Sequence, residues 1–175
     1  MGDTSPRFIY GLTLGVNWKG LDASVVFQGV GKRNVIYDSA SICPFSNTSV
    51  PLEHMTDYWT ENNKDARFPR MYDAGKFNYR PSDKWVENAA YIRLKNIQVG
   101  YNLPKKWMKK LHLSNMNVYF SGENLWTWSP LYKWTKDFDV LTVTKSSDND
   151  ISDSRGVGFN YPTMRSFSFG ITITY

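Results

Sequence analysis

The sequence predicts an all-β protein whose antiparallel strands cross a membrane, and two observations support this prediction. The first is strict alternation of apolar and small polar residues, seen most clearly at the carboxyl end, residues 165–175. Successive side chains of a strand point to opposite faces, and a strand tilted across a bilayer needs roughly 9–11 residues. The second is that short and long connections alternate between such stretches. The apolar positions of the last stretch, which we interpret as the carboxyl-terminal signal of a barrel, are Phe167, Phe169, Ile171, Ile173 and Tyr175.

Residues 8–18 and 21–28 repeat the pattern and predict a hairpin. Apolar side chains occupy alternate positions in both stretches, and Lys19-Gly20 between them suits a tight turn. The opposite face of this hairpin carries Asn17, Asp22 and Gln28. One face therefore suits lipid and the other suits water.

Two further strands are predicted at residues 91–103 and 116–126. Alternation is regular from Asn96 onward, but it breaks phase between Tyr91 and Lys95. If the same phase continued, Arg93 and Lys95 would face lipid, which is costly near the midplane of a membrane. We therefore expect a β-bulge or the membrane boundary in this segment.

Connection length predicts the orientation of the five strands. The turns at residues 19–20 and 104–114 are short, whereas residues 29–88 and 127–163 form long connections. Outer-membrane barrels have short periplasmic turns and long extracellular loops. We expect the long connections outside the cell, and aromatic side chains near both interfaces of the membrane.

Composition excludes a membrane protein that crosses the bilayer with helices. The chain has 175 residues, a mean hydropathy of −0.48 and no apolar run that suits a membrane-spanning helix. The start at Met1 lacks a signal peptide, so we expect residues upstream of it to be missing. The lone Cys43 cannot form an internal disulfide.

The net charge of +5 does not indicate nucleic-acid binding, because the basic residues are scattered along the chain. The densest group lies in the second short connection, where lysines and apolar residues recur at helical spacing. We interpret it as a short amphipathic helix that anchors at the membrane interface. Its members are Lys105, Lys106, Trp107, Met108, Lys109, Lys110 and Leu111.

Two groups of side chains are candidates for binding. Polar residues on the water-facing side of the strands are predicted to line a lumen, and their simplest role is hydration of the barrel interior or contact with a plug. They are Asn17, Asp22, Gln28, Gln98, Asn117 and Glu123. Aromatic residues in or beside the long connections could stack on sugar rings, although interface anchoring and packing within the loops remain alternatives. They are Trp59, Trp85, Trp126, Trp128, Tyr132 and Trp134.

No pattern in the sequence indicates catalysis. His54 and His112 fall in different connections, predicted on opposite sides of the membrane, so we expect neither a catalytic triad nor a metal site. We also expect no cofactor, and we predict that the chain is not an enzyme.

Four segments resemble one family of transporters. Residues 58–70, 82–97, 121–127 and 161–170 are similar to segments near the carboxyl end of the SusC/RagA-type TonB-dependent outer-membrane transporters. They occur in the order and at the separations found in that family. The resemblance covers almost the whole chain.

The resemblance implies much more than periodicity does. It implies a barrel of 22 strands filled by a plug, covered by a SusD-like surface lipoprotein, and energised by a TonB complex. Such a protein imports oligosaccharides or peptides through the outer membrane of a Gram-negative bacterium. Residues 1–175 would be the carboxyl-terminal barrel portion, with the plug and the amino-terminal strands absent.

A second hypothesis is a free-standing, soluble β-sandwich that binds carbohydrate through its tryptophan-rich loops. The two hypotheses differ in where the apolar strand faces lie. A barrel exposes them to lipid, whereas a sandwich buries them against a second sheet.

Overall fold

The structure, a computed structural model, describes residues 5–37, 41–45, 50–71, 76–80, 82–141 and 161–175. The chain divides into two compact units, which are described separately. We call Ile9–Val30, Tyr91–Trp128 and Met164–Tyr175 the sheet unit. We call Met1–Phe8, Gly31–Ala90 and Ser129–Thr163 the loop unit.

Seven strands are present in the described residues, and five of them form one sheet. The five long strands are β1 (Phe8–Trp18), β2 (Leu21–Gly31), β5 (Tyr91–Asn102), β6 (Asn115–Trp128) and β7 (Ser166–Thr174), and the two short ones are β3 (Asn34–Ile36) and β4 (Val86–Asn88). The sheet has the order β1-β2-β5-β6-β7, so each long strand lies beside its neighbour in sequence. This confirms the five predicted strands and their antiparallel arrangement.

The predicted turn at Lys19-Gly20 joins β1 to β2. Both residues have positive φ, 49° and 90°, which suits the right-handed twist of a two-residue hairpin. A side chain at Gly20 would place its Cβ 2.9 Å from the backbone oxygen of Asn102. Glycine is required here by both conformation and space.

Strand register gathers the apolar positions on one face of the sheet. Ala23 lies opposite Val99, Val99 opposite Phe120, and Phe120 opposite Phe169. This apolar face is open to solvent in the chain, with Ile171 50% exposed and Leu14 on β1 53% exposed. The described residues therefore provide no protein core for it.

The irregular segment before Asn96 contains the expected β-bulge. Val26 pairs with Asn96, but the next residue, Phe27, pairs with Leu94, so Lys95 is an extra residue in β5. The insertion shifts the phase of β5 by one residue. Arg93 consequently lies opposite Gln28 on the polar face, while Leu94 joins the apolar face beside Phe27.

The second short connection forms the predicted helix, α1 (Lys105–Leu111). Pro104 occupies its amino-terminal cap, and His112 ends it in the left-handed conformation with φ 54°. Met108 is buried, whereas Trp107 is 60% exposed. No helix among the described residues combines the length and apolar character needed to cross a bilayer.

The loop unit has its own small core. Strand β3 pairs with β4, and short 3-10 turns lie at Glu53–Thr56, Lys76–Tyr79, Asp83–Trp85 and Pro130–Lys133. The side chains of Tyr37, Phe68, Trp85 and Leu131 are almost completely enclosed. Aromatic packing, rather than regular secondary structure, therefore organises this unit.

Candidate functional site

The predicted lumen residues lie on the polar face of the sheet. Gln98 is opposite Ser24 and Ser121, and Asn117 is opposite Asn102 and Thr172. The Asn117 side-chain amide donates to Asn102 Oδ1 at 3.0 Å. The remaining members of this set are Asn17 on β1, Asp22 and Gln28 on β2, and Glu123 on β6.

The loop unit contains a cleft of about 660 Å³. Charges of both signs, hydroxyl groups and aromatic rings line it, so it can accept a polar ligand that also presents a flat apolar surface. The lining residues are Glu53, His54, Thr56, Asp57, Arg67, Glu87, Pro130, Tyr132, Lys133, Trp134, Thr135, Lys136 and Asp137.

Arg67 holds one side of the cleft. Its guanidinium carbon lies 4.8 Å from the centre of the Trp134 ring, and its Nη2 forms an ion pair with Glu87. The same nitrogen donates to the Lys84 carbonyl oxygen at 3.4 Å. Burial, followed by repulsion from Arg67, lowers the pKa of Lys84. Arg67 thus joins the strand-forming segment around Glu87 to the aromatic wall of the cleft.

Asp57 is fixed by two donors. The Asn63 side chain donates to Oδ1 at 3.0 Å, and the Arg67 backbone N–H donates to Oδ2 at 3.2 Å. These bonds hold the pKa of Asp57 below its ordinary value, with the Asn63 bond as the larger cause. The carboxylate remains exposed beside the cleft, where it can accept a hydrogen bond from a ligand.

His54 connects distant segments at the floor of the cleft. Nδ1 lies 2.9 Å from Asp137 Oδ2, and Nε2 lies 2.8 Å from the Ser41 carbonyl oxygen. Both ring nitrogens therefore have an oxygen within hydrogen-bond distance. The Thr135 hydroxyl lies 3.2 Å from the same Nδ1.

These groups do not form a nucleophilic triad. In a triad, the hydroxyl and the carboxylate bind opposite nitrogens of the imidazole. Here Thr135 and Asp137 meet one nitrogen, and a backbone carbonyl holds the other. The cluster stabilises the loop unit by connecting segments that are distant in sequence.

The six predicted aromatic ligand residues separate into four environments. Tyr132 and Trp134 line the cleft, and Trp59 is 38% exposed outside it. Trp85 is 0% exposed and packs against Phe68 and Tyr79 in the core, so its ring is not available for stacking on a ligand.

The last two aromatic candidates belong to the sheet unit. Trp126 pairs with Leu94 and Trp128 with Ile92, which places both indoles on the apolar face. They are 49% and 53% exposed. On this face, interface anchoring stays the prediction for them that the sequence offered beside ligand binding.

Sequence reasoning missed the polar residues that shape the cleft. Arg67 lies inside one of the segments that resemble the transporter family, which was the available signal for it. Thr135 and Asp137 carry no local signal, because their importance comes from contact with His54 more than 80 positions away.

Tyr37 is an enclosed residue of the loop-unit core. Its ring packs 4.5 Å from the Trp134 ring centre and 5.2 Å from that of Phe138. Burial, with a smaller contribution from Glu87, raises the pKa of Tyr37 far above its ordinary value. This phenol therefore stays neutral and serves packing.

Two proteins of known family are similar to the whole chain. TonB-dependent receptor P26 of Formosa agariphila is 28% identical over 100% of the chain, and TonB-dependent receptor P3 of the same organism is 26% identical over 100%. The chain spans only 18% and 17% of their lengths. No family model matches the chain.

Solved structures show the same fold. The RagAB peptide transporter matches 98% of the chain with a TM-score of 0.68 and 22% identity, and the RagAB peptide importer in the open-open state matches 98% with a TM-score of 0.63 and 20% identity. The chain covers 18% and 17% of those chains. Together with the receptor relatives, these matches support the predicted resemblance to a segment of the SusC/RagA-type TonB-dependent transporters. They also confirm its all-β membrane-barrel fold class.

The two relatives are named as receptors, which agrees with the prediction that the chain is not an enzyme. The cleft is accordingly interpreted as a binding surface. Its side chains can orient a ligand by hydrogen bonds, charge and ring stacking, without bond-making chemistry.

Replacing Asn63 with alanine is expected to raise the pKa of Asp57, because it removes the main donor to the carboxylate. The native bonds stabilise the folded state above the ordinary carboxyl pKa of about 4, and this contribution is lost as the pH falls through the lower folded pKa. Carbon-13 NMR titration of Asp57 measures the shift. Asn62→Ala is the control, and an unchanged Asp57 titration in Asn63→Ala would contradict the assignment.

The effect of alanine substitution on the free energy of unfolding distinguishes a loop tryptophan that packs in the core from one at the surface. Trp85→Ala should destabilise the loop unit by about 3–5 kcal/mol, because it empties a fully enclosed site. Trp59→Ala, at the surface, should change stability by about 0.5 kcal/mol or less. Denaturant unfolding of the two variants measures the difference, and equal losses would show that Trp85 is not a core residue.

Proposed function

We propose that residues 1–175 form the carboxyl-terminal part of the barrel of a TonB-dependent importer, in the outer membrane of a Gram-negative bacterium. The exposed apolar face of the sheet carries this proposal. Side chains such as Leu14 and Ile171 are half exposed although they are aliphatic, and they lie on strands long enough to cross a bilayer. Lipid is the environment that such a face suits.

The sheet edges support a larger barrel. Strands β1 and β7 are the outer strands of the five-stranded sheet, and a sheet this narrow cannot close into a wide barrel. The rest of the barrel, 22 strands in the resemblance, would pair with both edges. The amino-terminal strands and the plug complete the pore in this proposal.

The proposed partners follow from the same family assignment. The loop unit would lie outside the cell, where a SusD-like lipoprotein could cover the barrel. Energy would come from the TonB complex through a region that precedes the plug. The RagAB neighbours are themselves described as a peptide transporter or importer.

The proposed substrate is an oligosaccharide or a peptide, contacted in part by the cleft of the loop unit. Tyr132 offers an aromatic ring there, Trp134 supports the Arg67 guanidinium, and Asp57 and Arg67 offer hydrogen bonds and charge. Both substrate classes combine flat apolar surfaces with polar groups. The lumen residues, led by Asp22, Gln98 and Asn117, would hydrate the path of the substrate.

The soluble β-sandwich hypothesis lacks support from the described residues. A sandwich needs a second sheet over the apolar face, whereas the second sheet consists of β3 and β4, with three residues each, in the loop unit. The exposure of Leu14 and Ile171 also has no explanation in a sandwich core.

Leu14→Arg should prevent or weaken membrane assembly of the intact protein. An arginine on the lipid face costs about 2–4 kcal/mol near the bilayer midplane. Thr13→Arg is the matched control, because its side chain points to the opposite face of β1. Folding into lipid vesicles, followed by urea titration and by heat-dependent migration on gels, measures the difference. Equal losses in both variants would contradict the lipid-facing assignment.

Tyr132→Ala should lower uptake of the transported substrate by about two- to tenfold, the range expected for one ring contact. Uptake is measured with labelled oligosaccharides and labelled peptides in cells that produce the intact protein. The class whose uptake falls identifies the substrate. Phe77→Ala is the control, since Phe77 is an exposed aromatic residue of the loop unit outside the cleft lining. Loss in the control alone would reject the cleft as the contact site.

A further inference from the structure

The short connections gather basic and aromatic side chains at one rim of the sheet. Asn102 donates its backbone N–H to the Gly20 oxygen at 2.8 Å, and Ser114 donates to the Thr174 oxygen at 2.9 Å. The hairpin turn, α1 and the end of β7 therefore meet at this edge of the sheet unit. We call it the short-turn rim.

The short-turn rim is basic. Lys19, Lys105, Lys106 and Lys109 are exposed there, and none has an ion-pair partner among the described residues. Residues 99–122 contain no aspartate or glutamate. Asp22 lies on β2, three residues after Lys19, so the lysines of α1 rather than the hairpin turn present the unneutralised positive surface.

Helix stability does not account for these lysines. Lys105 and Lys106 occupy the first turn of α1, where the helix dipole disfavours positive charge, and that turn contains no acidic residue. Residues that oppose the local preferences of a helix are commonly found at functional positions. The charges therefore have a use outside the helix.

Aromatic residues at the same rim indicate its depth in the proposed membrane. Trp18 is 64% exposed with Lys19 Nζ 5.1 Å from its ring centre, and Trp107 is 60% exposed beside the lysines of α1. Tyr101 on the apolar face and Tyr175 at the chain end are also exposed. Amphipathic rings of this kind occupy the headgroup layer of a membrane.

We propose that the short-turn rim binds the headgroups of anionic phospholipids in the periplasmic leaflet. The lysines of α1 pair with lipid phosphates, while Trp107 inserts at the boundary of the acyl chains. Continuity with the apolar face favours lipid as the occupant, because the same lipid layer covers both surfaces. This inference rests on the proposed membrane location of the sheet.

The test is native mass spectrometry of the intact protein, purified in detergent and supplied with phosphatidylglycerol or phosphatidylethanolamine of matched chains. The wild type should retain phosphatidylglycerol preferentially. The double variant Lys105→Gln/Lys106→Gln should reduce that preference by about five- to 25-fold, on the basis of about fivefold per basic residue. Added salt should weaken the preference in the wild type.

The matched control is Lys32→Gln/Lys64→Gln, which removes the same charge from exposed positions of the loop unit. It should leave lipid preference unchanged. Equal retention of the two lipids by the wild type, or equal loss in both double variants, would overturn the proposal. Cross-linking of rim lysines to an acidic protein, without preferential lipid retention, would also overturn it.

Failure of the membrane assignment is distinguishable from failure of this inference. Heat-dependent gel migration and recovery from the outer-membrane fraction report on the barrel itself. A correctly assembled barrel without preference for phosphatidylglycerol rejects only the lipid site. A protein that never enters the membrane rejects the proposed function.

Discussion

Strand register is the constraint on which the sheet unit depends. Because side chains alternate between faces, a shift of one residue moves every following side chain to the opposite surface. The insertion of Lys95 uses this property: it resets β5 so that Leu94 continues the apolar face and Arg93 lies opposite Gln28. Without that bulge, the Arg93 guanidinium would lie on the apolar face of the sheet. One extra residue thus reconciles a basic segment with an apolar surface.

The loop unit is stabilised by different interactions. Its strands have three residues each, so its order comes from enclosed rings and from polar contacts between distant segments. His54 connects Ser41 with Asp137, and Arg33 Nη1 donates to the Val140 carbonyl oxygen at 3.3 Å. Ser129 donates to the Ala90 carbonyl oxygen at 2.7 Å while accepting from Leu131 N–H. These contacts help to hold together the segments that form the cleft, because the short strand β4 and the 3-10 turns that contribute to its lining make few regular backbone hydrogen bonds with one another.

The two units differ in how far sequence alone predicts them. A strand is specified by a period of two and a hairpin by two turn residues, so the five long strands, the Lys19-Gly20 turn and the irregularity before Asn96 were predictable from neighbours in sequence. The same local view does not distinguish Trp85 from Trp59, since both lie in polar, aromatic-rich loops. Only the folded chain shows that Trp85 is enclosed by Phe68 and Tyr79. Likewise, periodicity predicted polar strand positions but not the cleft built by Arg67 and Asp137.

In the proposed barrel, the apolar face of the sheet and the backbone groups at its two edges require different partners. Burial of the apolar face is favourable in any apolar surroundings, because the hydrophobic effect is not directional, and lipid provides such surroundings. The outer edges of β1 and β7 need directional backbone partners, and no lipid can provide them. Inserting this segment alone would therefore satisfy the side chains while leaving two rows of backbone groups without hydrogen bonds in the bilayer. It follows that the segment can enter the membrane stably only together with the strands that pair with both edges, so its insertion and the closure of the barrel are one event.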